Sequence, residues 1–385
     1  MTSRERFECA MARRTPDRVP LDIGGTPLTG MRPRCQERLL DLLGFPGSAV
    51  EFGQGVDERI LRWAKADFRT VGNILPLPSK HARNISPESN VDCWGVRRDL
   101  VDGEMQITES PLRGVSVEDL RSYAWPEGRI SDEVLDVLVA QAKELHSQGQ
   151  YVVVAGHPVF GILELGCWMC GYEEFFIKLA LDPDFVWTFF DIVLRIQLEV
   201  IDQYYAALGP WIDVTTSGDD FGSQNGPLVS PAMFNAFIAP YFSERIRRTK
   251  AVAKCYYWHH TCGSVFKLID QIIACGVDIL NPVQTSAAEM EPRALKERFG
   301  DRIVFWGGVD VQQFLPRATP EEVPGRIEEL ISTLGADGGY IMAPAHQIQD
   351  DVPAENIIAW VEAVQRCSPH AEEGRCGETR KESLT

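Results

Sequence analysis

The sequence predicts an α/β protein, a (β/α)8 TIM barrel with N-terminal helical and hairpin extensions. Three observations carry this expectation. Seven short apolar, β-rich runs recur at 67–73, 151–156, 212–217, 253–258, 278–281, 303–307 and 339–343. Most are separated by segments with apolar residues at helical spacing, the alternation that builds a parallel sheet flanked by helices. The 385 residues, 44% of them apolar, suit a single barrel, a fold that occupies roughly 250 to 400 residues as one unit. A doubly wound sheet would show the same alternation. No G-x-G-x-x-G follows any strand, however, and Gly24-Gly25 or Gly307-Gly308 alone is a weak signal.

Taken in order, the chain opens on a helix. Thr2 and Glu5 form a capping box, Phe7, Ala10 and Met11 share a face, and Pro16 is expected to end the helix. Residues 18–25 (RVPLDIGG) read as a short strand running into a glycine pair, and 91–108 as a hairpin turning at Asp102-Gly103. The front third is expected to decorate the barrel entrance. In the more regular second half, Val265, Leu268, Ile269 and Ile272 recur at helical spacing before Gly276 stops the helix. Thr319-Pro320-Glu321-Glu322 offers an N-cap, a proline for the first helical position and a capping-box acid, which predicts a helix start. With seven strands visible, one strand of the barrel is hidden. Residues 1–367 are expected to form one domain, and the polar segment 368–385 a disordered tail that leaves Cys376 an exposed bystander.

Composition limits the partners. With 55 acidic and 38 basic residues, the formal charge of -17 repels a phosphate backbone, so nucleic acid is not an expected partner. The apolar stretches break well before the roughly 20 residues of a membrane span, and MTSRERFECAMARR has no apolar signal core, so a cytoplasmic protein off the membrane is expected. Ten scattered cysteines without a secretory signal suit a reducing cytosol better than a disulfide framework.

Barrel chemistry stands at the carboxyl ends of the strands, and polar residues gather there. CYYW is followed by His259, His260, Thr261 and Cys262; DILN by Gln284; VFWGG by Asp310; YIMAP by His346, Gln347 and Gln349; DVTTSG by Asp219, Asp220 and Gln224. His260 and Cys262 leaving one strand can place an imidazole nitrogen and a thiolate on one zinc ion, and His346 can supply a third ligand from the last strand, with an open fourth position making the site catalytic. Equally, a His-x-Cys occurs often by chance at a hydrogen-bonded rim. Asp219-Asp220 reads as an acid and base pair, a cation site or a solvated loop. Cys167-Trp-Met-Cys170 is the chain's one C-x-x-C, but its apolar surroundings favour buried structural cysteines, and Cys255 and Cys275 read the same way. His157, alone before a proline, reads as structural. Trp168, Phe221, Trp258 and Trp306 near the rims suit an aromatic ether or a core.

Several segments together resemble the uroporphyrinogen decarboxylase superfamily, and in particular its cobalamin-dependent methyltransferase branch. They are SRERFECAMARRTPDRVPLD, SGDDFGSQNGPLVSPAMF, HTCGSVFKLIDQIIACGVDILNPVQ, FWGGVDVQQFLPRATPEEV and APAHQIQDDVPAENI, in that order. The resemblance implies a (β/α)8 barrel. The superfamily's decarboxylases carry an arginine-rich R-Q-A-G-R segment near the start and an aspartate after the first barrel strand. Here the first stretch reads LDIGGTPLTGMRPRCQERLL, with only Arg32 and Arg34 as cations, and FRTVGNILP after Asp67 holds no acid. An octacarboxylate would need several positioned cations, so porphyrinogen decarboxylation is disfavoured. The methyltransferase branch carries zinc on a His-x-Cys and a last-strand cysteine. His260 and Cys262 match, while His346 stands at the third position within A-H-Q-I.

The resemblance therefore implies zinc-assisted methyl transfer between a small-molecule methyl donor, such as an O-methyl ether, or an acceptor, a thiol or tetrahydrofolate, and the cobalt of a corrinoid. The chain lacks the Asp-x-His-x-x-Gly cobalamin motif, which places the corrinoid on a partner carrier protein. Asp219, Asp220 and His346 are the expected catalytic residues. Gly24, Gly25, Gln224, Asn281 and Gln284 are expected to approach substrate or cofactor. A metal-free carbon–carbon lyase and a non-catalytic corrinoid-protein scaffold are the alternatives.

Overall fold

The computed structural model describes residues 1–45, 47 and 55–367; the segment 368–385 expected to be a disordered tail, with Cys376, lies outside them. Eleven strands are assigned among the described residues: β1 (Phe68–Val71), β2 (Arg83–Ser86), β3 (Ser89–Val91), β4 (Arg97–Val101), β5 (Glu104–Glu109), β6 (Val152–Ala155), β7 (Val214–Thr215), β8 (Tyr256–His260), β9 (Ile279–Asn281), β10 (Val304–Val309) and β11 (Tyr340–Pro344). One sheet has the order β1-β6-β7-β8-β9-β10-β11 and the other β2-β3-β4-β5. The seven strands of the first sheet are the seven runs read from the sequence, and the fold is the expected TIM-barrel-like α/β class.

The chain divides into two compact units. The first comprises Met1–Thr70, Gln148–Val152 and the chain from Ile279 on; the second comprises Val71–Ser147 and Val153–Asp278. In the first unit β9, β10 and β11 run parallel, with Val304 opposite Ile279 and Trp306 opposite Ile341. All six residues of β10 are buried, as expected for a parallel strand covered on both faces. The Phe68 ring lies 4.4 Å from the Trp306 ring, and burying such a side chain contributes roughly 1.5–3 kcal/mol.

The hidden strand is Pro20–Asp22. Met342 N–H donates to Pro20 O and Asp22 N–H to Met342 O, while Asp67 N–H donates to Leu21 O on the other side. Leu21 thus stands between β11 and the start of β1, in the eighth strand position, so this segment is not the decoration it was expected to be. It was read as a strand, but its length gave no sign that it belongs to the main sheet. Asp67, at the start of β1, is fully buried and bonded by Arg6 and Arg18.

In the second unit β6, β7 and β8 are parallel, with Val154 opposite Val214 and Thr215 opposite Tyr257. The N-terminal extension is the antiparallel sheet. Asp102 and Gly103 have φ of 52° and 84°, the left-handed pair that a tight two-residue hairpin turn requires.

Two helix boundaries differ from expectation. The first helix, Ser3–Met11, has its capping box but stops five residues before Pro16, where Arg13 enters the left-handed region at φ 53° and Arg14 N–H returns to Cys9 O. Thr319–Glu322 forms a turn, and the helix begins at Val323. The reason is Pro324: in a helix begun at Pro320 it would owe an N–H to the Pro320 carbonyl, and proline has none.

Candidate metal centre

The pleat of β8 separates two adjacent histidines. Trp258 and His260 share one face, their rings 5.8 Å apart. His259 points the opposite way, packs against Phe242 and Phe221, and bonds Ser217 Oγ through Nδ1 at 3.0 Å. After His260 the chain turns sharply at Gly263, φ 83°, where a Cβ would meet Ser223 O at 2.6 Å. That turn returns Cys262 toward the strand end, and its Sγ lies 3.1 Å from His260 Nε2. The loop after β7 is stitched to it: Phe221 N–H donates to Thr261 Oγ1 at 2.8 Å and Cys262 N–H to Asp220 Oδ1 at 2.7 Å.

His346 follows β11, as expected. The ligand atoms of His260, Cys262 and His346 all lie within 4.8 Å of one another. A tetrahedral zinc holds nitrogen and sulfur ligands about 3.5 Å apart, so the donor set fits that ion. The chemistry of the thiol agrees. Burial, then Asp220 and Glu164, push the Cys262 thiol well above its usual range, so a thiolate there needs a cation.

Asp219 is fully buried and occupied. Its carboxylate accepts Leu163 N–H at 3.0 Å and Glu164 N–H at 2.9 Å, two of the unpaired donors that open the Ile162–Cys170 helix. Gly161 is required there, because a Cβ would sit 2.3 Å from Asp219 Cγ. Burial pushes Asp219 up to about 6 despite these bonds, and Arg245 pulls in the other direction. Arg245 is itself fully buried on the Ala239–Val252 helix, and its guanidinium nitrogens have no hydrogen-bond partner among the described residues. Asp219 therefore anchors a helix in a charge-balanced interior.

Glu164 is the functional candidate that sequence reasoning missed. It is half-buried in the first turn of the same helix. Burial, then Asp220 and Asp219, push its carboxyl well above the usual carboxylate range, and the Asp220 backbone pulls the other way. In sequence it lies inside the apolar run GILELGCWMC, and its only signal there was a lone acid on a helix otherwise fit for a core.

Residues 93–367 match the family model for uroporphyrinogen decarboxylase (URO-D). The chain belongs to the uroporphyrinogen decarboxylase family. Among its relatives, a uroporphyrinogen decarboxylase of Psychromonas ingrahamii is 34% identical over 288 residues, 72% of this chain and 75% of the relative. A uroporphyrinogen decarboxylase of Coxiella burnetii is 24% identical over 383 residues, 96% of each chain. A methylated-thiol–coenzyme M methyltransferase of Methanosarcina mazei is 27% identical over 141 residues, 37% of this chain and 35% of the relative. A solved structure of a methyltransferase from Methanosarcina mazei shares the fold, with a TM-score of 0.65 over 95% of this chain and 98% of that one, at 16% identity. The resemblance to this superfamily, with its methyltransferase branch, is borne out.

On this URO-D frame the other expected site residues are placed as follows. Gly24 and Gly25 do allow close approach, but to their own chain: a Cβ would meet Val56 Cγ2 at 2.4 Å and Phe68 Cβ at 2.3 Å respectively. Asn281, buried at the end of β9, donates to Trp306 O at 3.0 Å. Gln284 is buried and contacts Gln312 Oε1 at 3.4 Å. Gln224 is exposed at the tip of the loop after β7. His157 is buried with Nδ1 at 3.1 Å from Val159 O, and Cys167 and Cys170 are buried thiols, the latter pushed up to about 12 by burial; Cys255, only half-buried as a residue, is likewise pushed up to about 12 by burial, and Cys275 is buried. All four fit the structural reading. Of the four aromatics, Phe221, Trp258 and Trp306 are core; Trp168 is partly open and bonds Tyr172 Oη at 3.2 Å. Among the described residues no helix is long and apolar enough to cross a membrane.

Proposed function

We propose that this chain is a zinc-assisted methyltransferase that moves a methyl group between a small molecule and the cobalt of a corrinoid held by a separate carrier protein. The observation that carries the reading is the His260–Cys262 pair at 3.1 Å, with His346 completing a donor set within 4.8 Å. The methyltransferase relative and the shared fold of a second methyltransferase support it. His260, Cys262 and His346 would hold the zinc ion. Bound there, zinc supplies Lewis acidity, lowering the pKa of a coordinated thiol or polarising an ether oxygen. The chain's own residues do the rest. His260 is fixed by strand pairing, since its N–H donates to Ser217 O at 2.7 Å. Asp220 holds the Cys262 backbone, and Asp219 holds the helix that carries Glu164 beside them. We assign residues 1–367 to one functional domain, acting in the cytoplasm and docking a corrinoid carrier.

A second reading is favoured by the names of most relatives: a metal-free carbon–carbon lyase. Replacing Cys262 by alanine separates the two. The methyltransferase should lose bound zinc and methyl transfer together, whereas a lyase should keep its activity. Zinc analysis of wild type and Cys262→Ala, with a spectrophotometric assay of methylcobalamin demethylation, performs the test. A wild type that holds no zinc and leaves the corrinoid spectrum unchanged sinks the methyltransferase reading. A protein that binds carrier without turnover would be a scaffold.

A further inference from the structure

We propose that the second unit holds a small monovalent anion, a halide such as chloride, on the side chain of Arg245, in the layer between β8 and the Ala239–Val252 helix. This site is separate from the proposed metal centre and does not depend on the methyltransferase reading.

Helical spacing puts the arginine there. Phe242, Arg245, Ile246 and Thr249 are the buried residues of this helix, three and four positions apart and so on one face. That face lies against the side of β8 opposite His260, since the Phe242 ring stands 4.5 Å from the His259 ring. Tyr257, two residues before His259 on the strand, points to the same side, and its ring lies 6.2 Å from that of His157. The Arg245 charge acts on His157, Tyr257 and His259 alike, so the guanidinium stands among them.

Nothing among these residues matches its charge. Arg245 is fully buried, and its Nε, Nη1 and Nη2 make no hydrogen bond among the described residues. Arginine keeps its charge in proteins, and a buried charge requires a partner of opposite sign. Asp219 acts on it from a distance. Both Asp219 oxygens are taken by the N–H groups of Leu163 and Glu164, at a helix start whose dipole offsets the carboxylate. Uncharged acceptors share a cation's hydrogens without neutralising it, and that holds for His157 Nε2 and for water.

Donors for an anion are present beside the guanidinium. Thr249 Oγ1, one turn along the same face, and His259 Nε2 are buried and have no hydrogen-bond partner among the described residues. His259 Nδ1 lies 3.0 Å from Ser217 Oγ; with the hydroxyl donating to Nδ1, Nε2 carries the N–H. The set offers hydroxyl, imidazole and guanidinium hydrogens and no carboxylate. A halide accepts from any direction and neutralises one cation. Sulfate or phosphate would leave an unmatched negative charge in an interior that already holds Asp219.

The test melts the full-length protein in sodium chloride, sodium gluconate and sodium sulfate at constant ionic strength, before and after zinc chelation, and soaks its crystals in sodium bromide for anomalous diffraction. Stabilisation by a ligand grows by RT ln 10 for each tenfold rise above its Kd, which for 385 residues raises Tm by roughly 2 °C. Chloride should give that rise with or without chelation, and gluconate and sulfate should not. The bromide peak should lie on the Arg245 guanidinium. Arg245→Met should abolish both the halide effect and the peak. Thr249→Val, which leaves the arginine in place, should weaken halide affinity by about tenfold, the loss of one hydrogen bond to a charged group. Identical melting in the three salts, a guanidinium surrounded by water alone in the bromide crystals, or a halide effect that survives Arg245→Met or vanishes on chelation would overturn the site.

Discussion

Replacing His346 by alanine is the sharpest perturbation of the proposed metal centre, because this residue supplies the third donor of the His260, Cys262 and His346 group. Its magnitude follows from the donor count. Structural zinc sites bind with roughly 10–16 kcal/mol over four protein ligands, or about 3 kcal/mol for each, so losing one of the three ligands here should weaken zinc by roughly 10²-fold. The same number appears as thermal protection. At a free zinc concentration 100 times the wild-type Kd, the ion stabilises the native state by about 2.7 kcal/mol. At that concentration the variant sits near its own Kd and gains only about 0.4 kcal/mol. Chelator competition measures the first quantity, and melting of each protein with and without zinc measures the second. His259→Ala serves as the control, since its ring faces Phe242 and Ser217 on the other side of β8 and its loss should leave zinc affinity unchanged. A His346→Ala protein with wild-type affinity would refute the three-ligand site, and a His259→Ala protein that loses zinc would refute the pleat argument.

Three further outcomes are expected. Gly161→Ala places a Cβ 2.3 Å from Asp219 Cγ and should destabilise by about 1–3 kcal/mol in a denaturant melt, the usual cost of overpacking; an unchanged midpoint would contradict the packing. Asp219→Asn should keep kcat within about tenfold if the residue anchors a helix, whereas a loss of roughly 10³-fold or more in steady-state kinetics would restore it as an acid or base. Asp22, buried and pushed up from 3.8 to about 6 by desolvation, binds its proton more tightly folded than unfolded. The stability it contributes is full below its unfolded value and is lost as pH rises through 6, a swing of about 3 kcal/mol. Asp22→Asn should remove that swing from the pH dependence of unfolding, and an identical pH profile would count against it.

The fold was legible wherever a strand announced itself by an apolar run. β6 is VVVA and β10 is VFWGGV, buried on both faces, and no other element places such runs at that spacing. Residues 18–25 were legible as a strand but not as a member of the main sheet, because only three of them, Pro20 to Asp22, bond across it, too few for a period to mark the strand as buried on both faces. Helix starts failed for a different reason. The cap at Thr319 is real, since Thr319 N–H bonds Glu322 Oε2 at 2.8 Å, yet Pro324 five residues later forbids the helix that the cap would begin. A local signal was present and a second local constraint overrode it.

The candidate site divides along the same line between local and non-local information. His260 and Cys262 are two residues apart, and strand end plus glycine turn suffice to bring their side chains together, so a sequence pattern can carry the pair. The acids cannot be read that way. Asp219 and Asp220 are neighbours that look interchangeable, but they point apart: one is taken up by the Ile162–Cys170 helix and the other by the Cys262 backbone. Glu164, 55 residues upstream of Asp219, comes beside them only because Asp219 accepts its backbone N–H. Burial first, and Asp220 and Asp219 after it, raise the Glu164 pKa, and all three come from tertiary contacts that leave no spacing in the sequence.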